Sequence, residues 1–221
     1  MGKFIWEFPL TASICFLLII NFLTVSIFLP QRLVSQYFLS YPGSLSPVNW
    51  FLSTTYHGSI GHLLSNVAFL FFLGRIVEEK VGKVKWLLYY TIAGIISSMG
   101  DSLIRFAMNP FDRIPTVGAS GAICGIAAVS ALISPYSFKT SGKKIIFPVF
   151  LVAWTMIYAD ITNLFTKDNI AHWAHLGGYF SVFLTAYLVD KEEKQKLKNG
   201  FIVNLLFFLL SMILLYLMDN R

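Results

Sequence analysis

Seven apolar blocks run through this chain of 221 residues, at 9–29, 56–77, 86–104, 116–133, 145–162, 170–189 and 201–218. Each holds 18 to 22 residues, and about 20 apolar residues are needed for a helix to cross the hydrocarbon core of a bilayer. The blocks take up 136 residues and leave 85 for termini and six loops, too few for a separate soluble domain. Only 28 side chains, 13%, carry charge, against about 25% in a typical soluble domain. The net charge of +6 is scattered between the blocks and forms no patch, so nucleic acid is not an expected partner. With 56% hydrophobic residues, disorder is excluded as well. The expectation is an all-α polytopic membrane protein whose chemistry takes place in or beside the lipid bilayer.

The first block is too long for a secretory h-region, and no small-x-small cleavage site follows Leu29, so it is read as a retained span. The chain starts Met1-Gly2-Lys3-Phe4-Ile5-Trp6, without the Ser or Thr that myristoylation wants at position six. Cys15 and Cys124 both fall inside predicted spans, and two buried thiols make no disulfide framework. With Met1 in the cytoplasm, the inner side receives Lys3, Arg75, Lys80, Lys83, Lys85, Lys139, Lys143, Lys144, Lys191, Lys194, Lys196 and Lys198, twelve in all. The outer side receives five: Arg32, Arg105, Arg113, Lys167 and Arg221. Basic residues favour the cytoplasmic side, so a cytoplasmic N-terminus and an outer C-terminus are expected. The first loop, about 30–55, carries one charge, Arg32, and is expected to lie partly embedded in the outer interface.

The polar residues then converge. All four histidines lie near the outer ends of two blocks, His57 and His62 in the second, His172 and His175 in the sixth. Ionisable groups at membrane depth are costly and mark function by default. Counting about 1.5 Å per residue puts His175, Ser120, His62 and Asn66 in one layer of the outer leaflet. Taken singly, each has a plainer reading. Gly118, Gly121 and Gly125 make a helix-packing face; His62 and Asn66 can serve as interhelical hydrogen-bond glue. His172 beside Trp173 reads as an interfacial anchor and His57 as a loop-ordering residue. Taken together, a hydroxyl, two imidazoles and a carboxamide are the parts of an acyl-transfer site. A neutral imidazole takes the serine proton, and donors aimed at the developing oxyanion stabilise it. Asp160 and Asp168 are placed at or beyond the outer boundary, so a Ser–His dyad is expected and not a triad.

Gly118-x-Ser120-Gly121, Ala174-His175-Leu176-Gly177-Gly178 and His62-x-x-x-Asn66, in this order on three helices, resemble the rhomboid intramembrane serine proteases. The stretch from His57 to Asn66 and the run Gly74-Arg75-Ile76-Val77-Glu78 are similar to that family as well. The resemblance implies a rhomboid-like bundle of six helices over 1–189, a charged cytoplasmic linker over 190–200, and an additional transmembrane helix over 201–221. It implies Ser120 as nucleophile and His175 as base. His62 and Asn66, with the Ser120 backbone N–H, would form the oxyanion hole, and Gly118, Gly121, Gly125 and Gly178 would let helices approach at the site. Transmembrane proteins would be the substrates, cut near their outer ends, with the fifth loop and helix gating entry. No cofactor or metal is implied. There are three departures from the family pattern: Val48-Asn49 replaces a Trp-Arg pair, Cys124 replaces an aromatic ring packed on the catalytic imidazole, and Val182 replaces a small residue. Two rival readings are an inactive rhomboid-like binder of transmembrane helices and a histidine-lined transporter. The first would be expected to have lost Ser120 or His175, and the second calls for polar groups at the midplane.

Overall fold

The computed structural model describes residues 7–140, 142–166, 168–186 and 191–219. Lys3, Lys167 and Arg221 of the charge count, the N-terminal residues before Glu7, and the end of the sixth block lie outside them. The helices follow the apolar blocks: α1 (Pro9–Phe28), the short α2 (Pro47–Ser53), the long α3 (Ile60–Met108), α4 (Ser120–Ile133), α5 (Val149–Thr162), α6 (His172–Thr185) and α7 (Lys191–Asp219). α3 contains two of the blocks. Its two arms meet at Gly82, whose φ of 77° and ψ of 171° lie far from helical values and turn the chain back on itself. Among the described residues three helices, Pro9–Phe28, Ile60–Met108 and Lys191–Ile213, are long and apolar enough to cross a membrane, while α4 and α5 are shorter apolar helices. At 14 residues α4 is about 21 Å long, less than a full bilayer core.

α4 stands at the centre. Its sequence, Ser-Gly-Ala-Ile-Cys-Gly-Ile-Ala-Ala-Val-Ser-Ala-Leu-Ile, is built from small residues, and Gly121 through Ala127 are all buried. Small side chains let neighbouring backbones approach closely where lipid offers no hydrophobic drive. The core around it includes Leu70, Leu73, Trp86, Tyr89, Ile123 and Ile126. On the outside the pattern inverts. Phe16, Ile27 and Phe28 of α1, Phe180 and Phe183 of α6, and Leu206 and Leu210 of α7 are exposed. Apolar surface that extensive suits lipid and not water.

Two polar clamps hold the periphery. The Glu78 carboxylate, buried on the first arm of α3, accepts from Leu10 N (3.1 Å), Thr11 N (2.8 Å) and Thr11 Oγ1 (2.7 Å). It thereby satisfies the otherwise unpaired amides at the start of α1 and lies where the helix dipole favours negative charge. Glu78→Ala is expected to strand those donors and lower stability by about 2–4 kcal/mol, read as a fall in the unfolding temperature in detergent. The second clamp is Arg105, which donates to Asp112 (2.7 Å), Asp101 (3.2 Å), Thr116 (2.8 Å) and the Ile114 carbonyl (2.8 Å). It fastens the loop that leads into Ser120.

Three expectations on boundaries change. Ile145 and Ile146, assigned to the fifth block, form the second strand of a hairpin, Ser137–Thr140 paired antiparallel with Lys143–Ile146. Pro148 delays helix α5 until Val149. The segment read as a charged linker is helical from Lys191 onward and continues into the seventh block without a break. It is also anchored: Glu193 is buried, pairs with Lys85 and accepts from Tyr89 OH at 3.0 Å. Further along α7, Gly200 lies against the Leu132 carbonyl, where any Cβ would collide. Asn204 donates to the Ala131 carbonyl (3.0 Å) and accepts from Trp154 Nε1 of α5 (2.9 Å). The seventh helix is therefore packed on α4 and α5.

The loop before α2 is ordered by local polar bonds. Asn49, which with Val48 stands in place of the family's Trp-Arg pair, donates its amide to the Gln36 (2.8 Å) and Leu39 (3.0 Å) carbonyls. Trp50 Nε1 donates to the Ser44 carbonyl, and Ser102 of α3 donates to those of Tyr41 and Ser44.

Candidate functional site

Ser120 is the first residue of α4, and the chain reaches it through Gly118 at φ 117°, a conformation that a side chain disfavours. A Cβ at Gly118 would also lie 2.5 Å from Cε1 and 2.7 Å from Nε2 of His62. The approach is pinned by Gly118 N donating to the Ser53 carbonyl (2.9 Å) and Ala119 N to His57 Nε2 (3.4 Å). His57 is fully buried and does order the loop, as expected. At the start of a helix the first backbone N–H groups have no intrahelical acceptor, so those near Ser120 are left pointing out of the helix end.

His175 is in the first turn of α6. Its Nε2 lies 2.8 Å from Ser120 Oγ. The two helices come this close because of facing glycines. A Cβ on Gly178 would come within 2.0 Å of the Gly121 carbonyl oxygen, and one on Gly125 within 3.1 Å of the Gly178 carbonyl. Ser181 is buried and donates back to that same carbonyl at 2.6 Å, so its small side chain completes the contact next to Val182.

His62 packs edge-on against His57, ring centroids 5.1 Å apart, beside Gly118. Asn66 is buried one turn further along α3 and spends one amide hydrogen on the His62 carbonyl at 3.0 Å. A carboxamide has two such hydrogens, so one remains for another acceptor.

The absence of a carboxylate at this level does not hold. Asp160, in the last turn of α5, has its Oδ1 2.7 Å from His175 Nδ1. The same oxygen is 2.7 Å from His172 Nδ1, and Oδ2 accepts from Tyr179 OH at 3.1 Å. His172 is therefore buried in a polar cluster and is no interfacial anchor. Its Nε2 faces Asp168 at 3.2 Å. The Ile170 amide donating to Asp168, with His172 behind it, holds that carboxyl below the usual carboxylate range. Depth counted along the apolar blocks misplaced Asp160. Antiparallel helices joined by a short connection have their adjoining ends at one level, and α6 starts at His172, two residues later than its block. The last turn of α5 and the first turn of α6 therefore face each other.

One oxygen of Asp160, one nitrogen of His175 and the Cys124 sulfur lie within 4.8 Å of one another, a spacing that a divalent cation can bridge. Those His175 and Asp160 atoms are already hydrogen-bonded to one another or to Ser120, and a cation there would have to displace a bond that orients the imidazole.

The arrangement can perform acyl transfer: a hydroxyl next to an imidazole acceptor, the imidazole held from behind, and the N-terminal amides of a helix beside it. Comparison with known proteins agrees with this chemistry. The Rhomboid domain model matches residues 45–192, which covers α2 through α6. The chain is 32% identical over 143 residues to putative rhomboid protease YdcA of Bacillus subtilis, covering 63% of this chain and 66% of that protein. It is 28% identical over 151 residues to Rhomboid-like protein 11 of Arabidopsis thaliana, a chloroplastic protein, covering 64% of this chain and 52% of the relative. Rhomboid protease GluP of Bacillus subtilis is 31% identical over 133 residues, 59% of this chain but 24% of that protein. The match to these relatives thus spans between a quarter and two thirds of their length. The shared region is the part that carries Ser120, His175, His62 and Asn66, and the chain belongs to the rhomboid family.

Proposed function

We propose that this chain is an intramembrane serine endopeptidase of six-plus-one topology, with the N-terminus cytoplasmic, that cleaves transmembrane proteins near their outer ends. The observation that carries the reading is the 2.8 Å contact of Ser120 Oγ with His175 Nε2 across the α4–α6 interface. Family membership alone does not carry it, since Inactive RHOMBOID-like protein 8 of Arabidopsis thaliana is also a relative, 28% identical over 130 residues, 57% of this chain and 33% of that protein. Both residues that an inactive form would be expected to lack are here, and in contact.

In the proposed reaction, His175 Nε2 takes the Ser120 proton as Oγ attacks the scissile carbonyl carbon. The oxygen of the tetrahedral intermediate turns to the Ser120 amide, the His62 imidazole and the Asn66 carboxamide. The imidazolium then protonates the leaving amine, the C–N bond breaks, and a serine ester remains. Water, deprotonated by the same imidazole, releases the acyl product and regenerates the enzyme. A helical peptide bond is shielded by its own hydrogen bonds and side chains, so the substrate helix must unwind locally before Ser120 can attack. Gly, Pro or polar residues near its outer end favour this.

Incubating the purified protein with a panel of single-pass substrates, with mass spectrometry of the products, tests the reading. Cuts within the first two or three outer turns support it, and cuts at the cytoplasmic end contradict it. A serine-reactive fluorophosphonate is expected to label Ser120, which a transporter would not show. His62→Ala and Asn66→Ala are each expected to lower kcat by about 10²–10³ and leave measurable turnover, since one oxyanion donor is lost each time.

A further inference from the structure

We propose that Asp160 is a positioning residue for His175, so that Ser120, His175 and Asp160 work as a triad. The inference rests on the reading of Ser120 and His175 as nucleophile and base. An imidazole acts as general base only in the tautomer whose proton is on the far nitrogen. Asp160 Oδ1, 2.7 Å from Nδ1, can only accept from it, so Nδ1 carries the proton and Nε2 is left with its lone pair toward Ser120 Oγ at 2.8 Å. The carboxylate also faces the positive charge that forms on the ring during proton transfer.

The surroundings hold the carboxylate in place. Tyr179, one turn beyond His175 on α6, donates to Oδ2 at 3.1 Å and fixes the plane of the group. Asp160 is itself buried, so no bulk water competes for its oxygens. The side chain beside His175 on α4 is Cys124, too small to hold an imidazole by stacking. The hydrogen bond to Asp160 behind the ring supplies its orientation instead.

The competing account is that Asp160 merely ties α5 to α6, since His172 Nδ1 shares Oδ1 at 2.7 Å. The two accounts differ in what each partner's loss does. A tie would be weakened by removing His172 or Tyr179 about as much as by removing Asp160. A positioning role makes Asp160 special, because only its bond to His175 sets the tautomer. Loss of His172 leaves that bond in place.

The test measures kcat, KM, the unfolding temperature and the rate of fluorophosphonate labelling for Asp160→Asn, His172→Gln and Tyr179→Phe, with Ser120→Ala alongside. Asp160→Asn is expected to lose about 10²–10⁴-fold in kcat, with KM within about threefold of the parent and labelling slowed in parallel, while His172→Gln stays within about tenfold. Asp160→Asn within threefold of the parent, with Ser120→Ala inactive, overturns the positioning role and leaves the protease reading standing. Ser120→Ala retaining turnover overturns that reading instead. Equal losses in all three variants with equal falls in unfolding temperature identify a tie. Should the asparagine variant not fold, Asp160→Ser is read in the same way, and failure of both to fold overturns the proposal.

Discussion

Replacing Ser120 with Ala, or His175 with Ala, is expected to reduce cleavage of a transmembrane substrate by about 10⁴–10⁶-fold, and the double variant is expected to fall no further. The lack of additivity follows from the geometry. The Ser120 hydroxyl is a poor nucleophile until His175 Nε2, 2.8 Å away, accepts its proton. Once either member is gone, the other has no partner to act on, and only substrate binding and the oxyanion donors remain. The measurement is single-turnover cleavage by purified protein in proteoliposomes. Unchanged unfolding temperatures would show that the loss is chemical, since neither side chain is deep in the apolar core. A Ser120→Ala protein keeping a tenth of the parent turnover would remove the serine mechanism altogether.

Much of this site is legible in the residues, and the part that is not has a physical reason. Hydropathy marks helices well because lipid-facing surfaces must be apolar, and the long helices run through the apolar stretches even where their ends shift. Spacing motifs mark Ser120, His175, His62 and Asn66 because backbone geometry at a helix start demands Gly118 and close packing demands Gly121 and Gly178. Asp160 escapes both signals. It is one carboxylate at the end of an apolar stretch, where charges are ordinary, and its importance comes from α6 folding back alongside α5. Asn49 escapes for a related reason: a short carboxamide that holds two loop carbonyls cannot be told from a surface asparagine until the loop has closed around it. The hairpin 137–146 was hidden by Ile145 and Ile146, whose apolar character reads equally as strand or as helix start.

The second large effect is expected at Gly178. A β-carbon there would lie 2.0 Å from the Gly121 carbonyl oxygen, 2.9 Å from the Gly121 carbonyl carbon and 3.1 Å from Cys124 Cβ. Two of those three atoms are backbone, and Gly121 is in the first turn of α4, so no rotamer change relieves the clash. Gly178→Val must push α6 away from α4. Overpacking of this kind costs about 1–3 kcal/mol, and more where backbone must move. The displacement also opens the Ser120–His175 contact, which is one turn away along α6 and one residue away along α4, and a misplacement of about 1 Å can cost about 10²-fold in rate. Stability and activity should therefore fall together, unlike in the Ser120 and His175 variants. Gly100 supplies the control. It lies in the second arm of α3 with nothing within 4 Å of a built β-carbon, so Gly100→Ala removes backbone freedom from the unfolded chain and should stabilise by about 0.5–1 kcal/mol. A Gly178→Val protein that unfolds at the parent temperature and cleaves at the parent rate would mean that α4 and α6 do not meet as closely as their glycines allow, and the 2.8 Å serine–histidine contact would lose its structural basis.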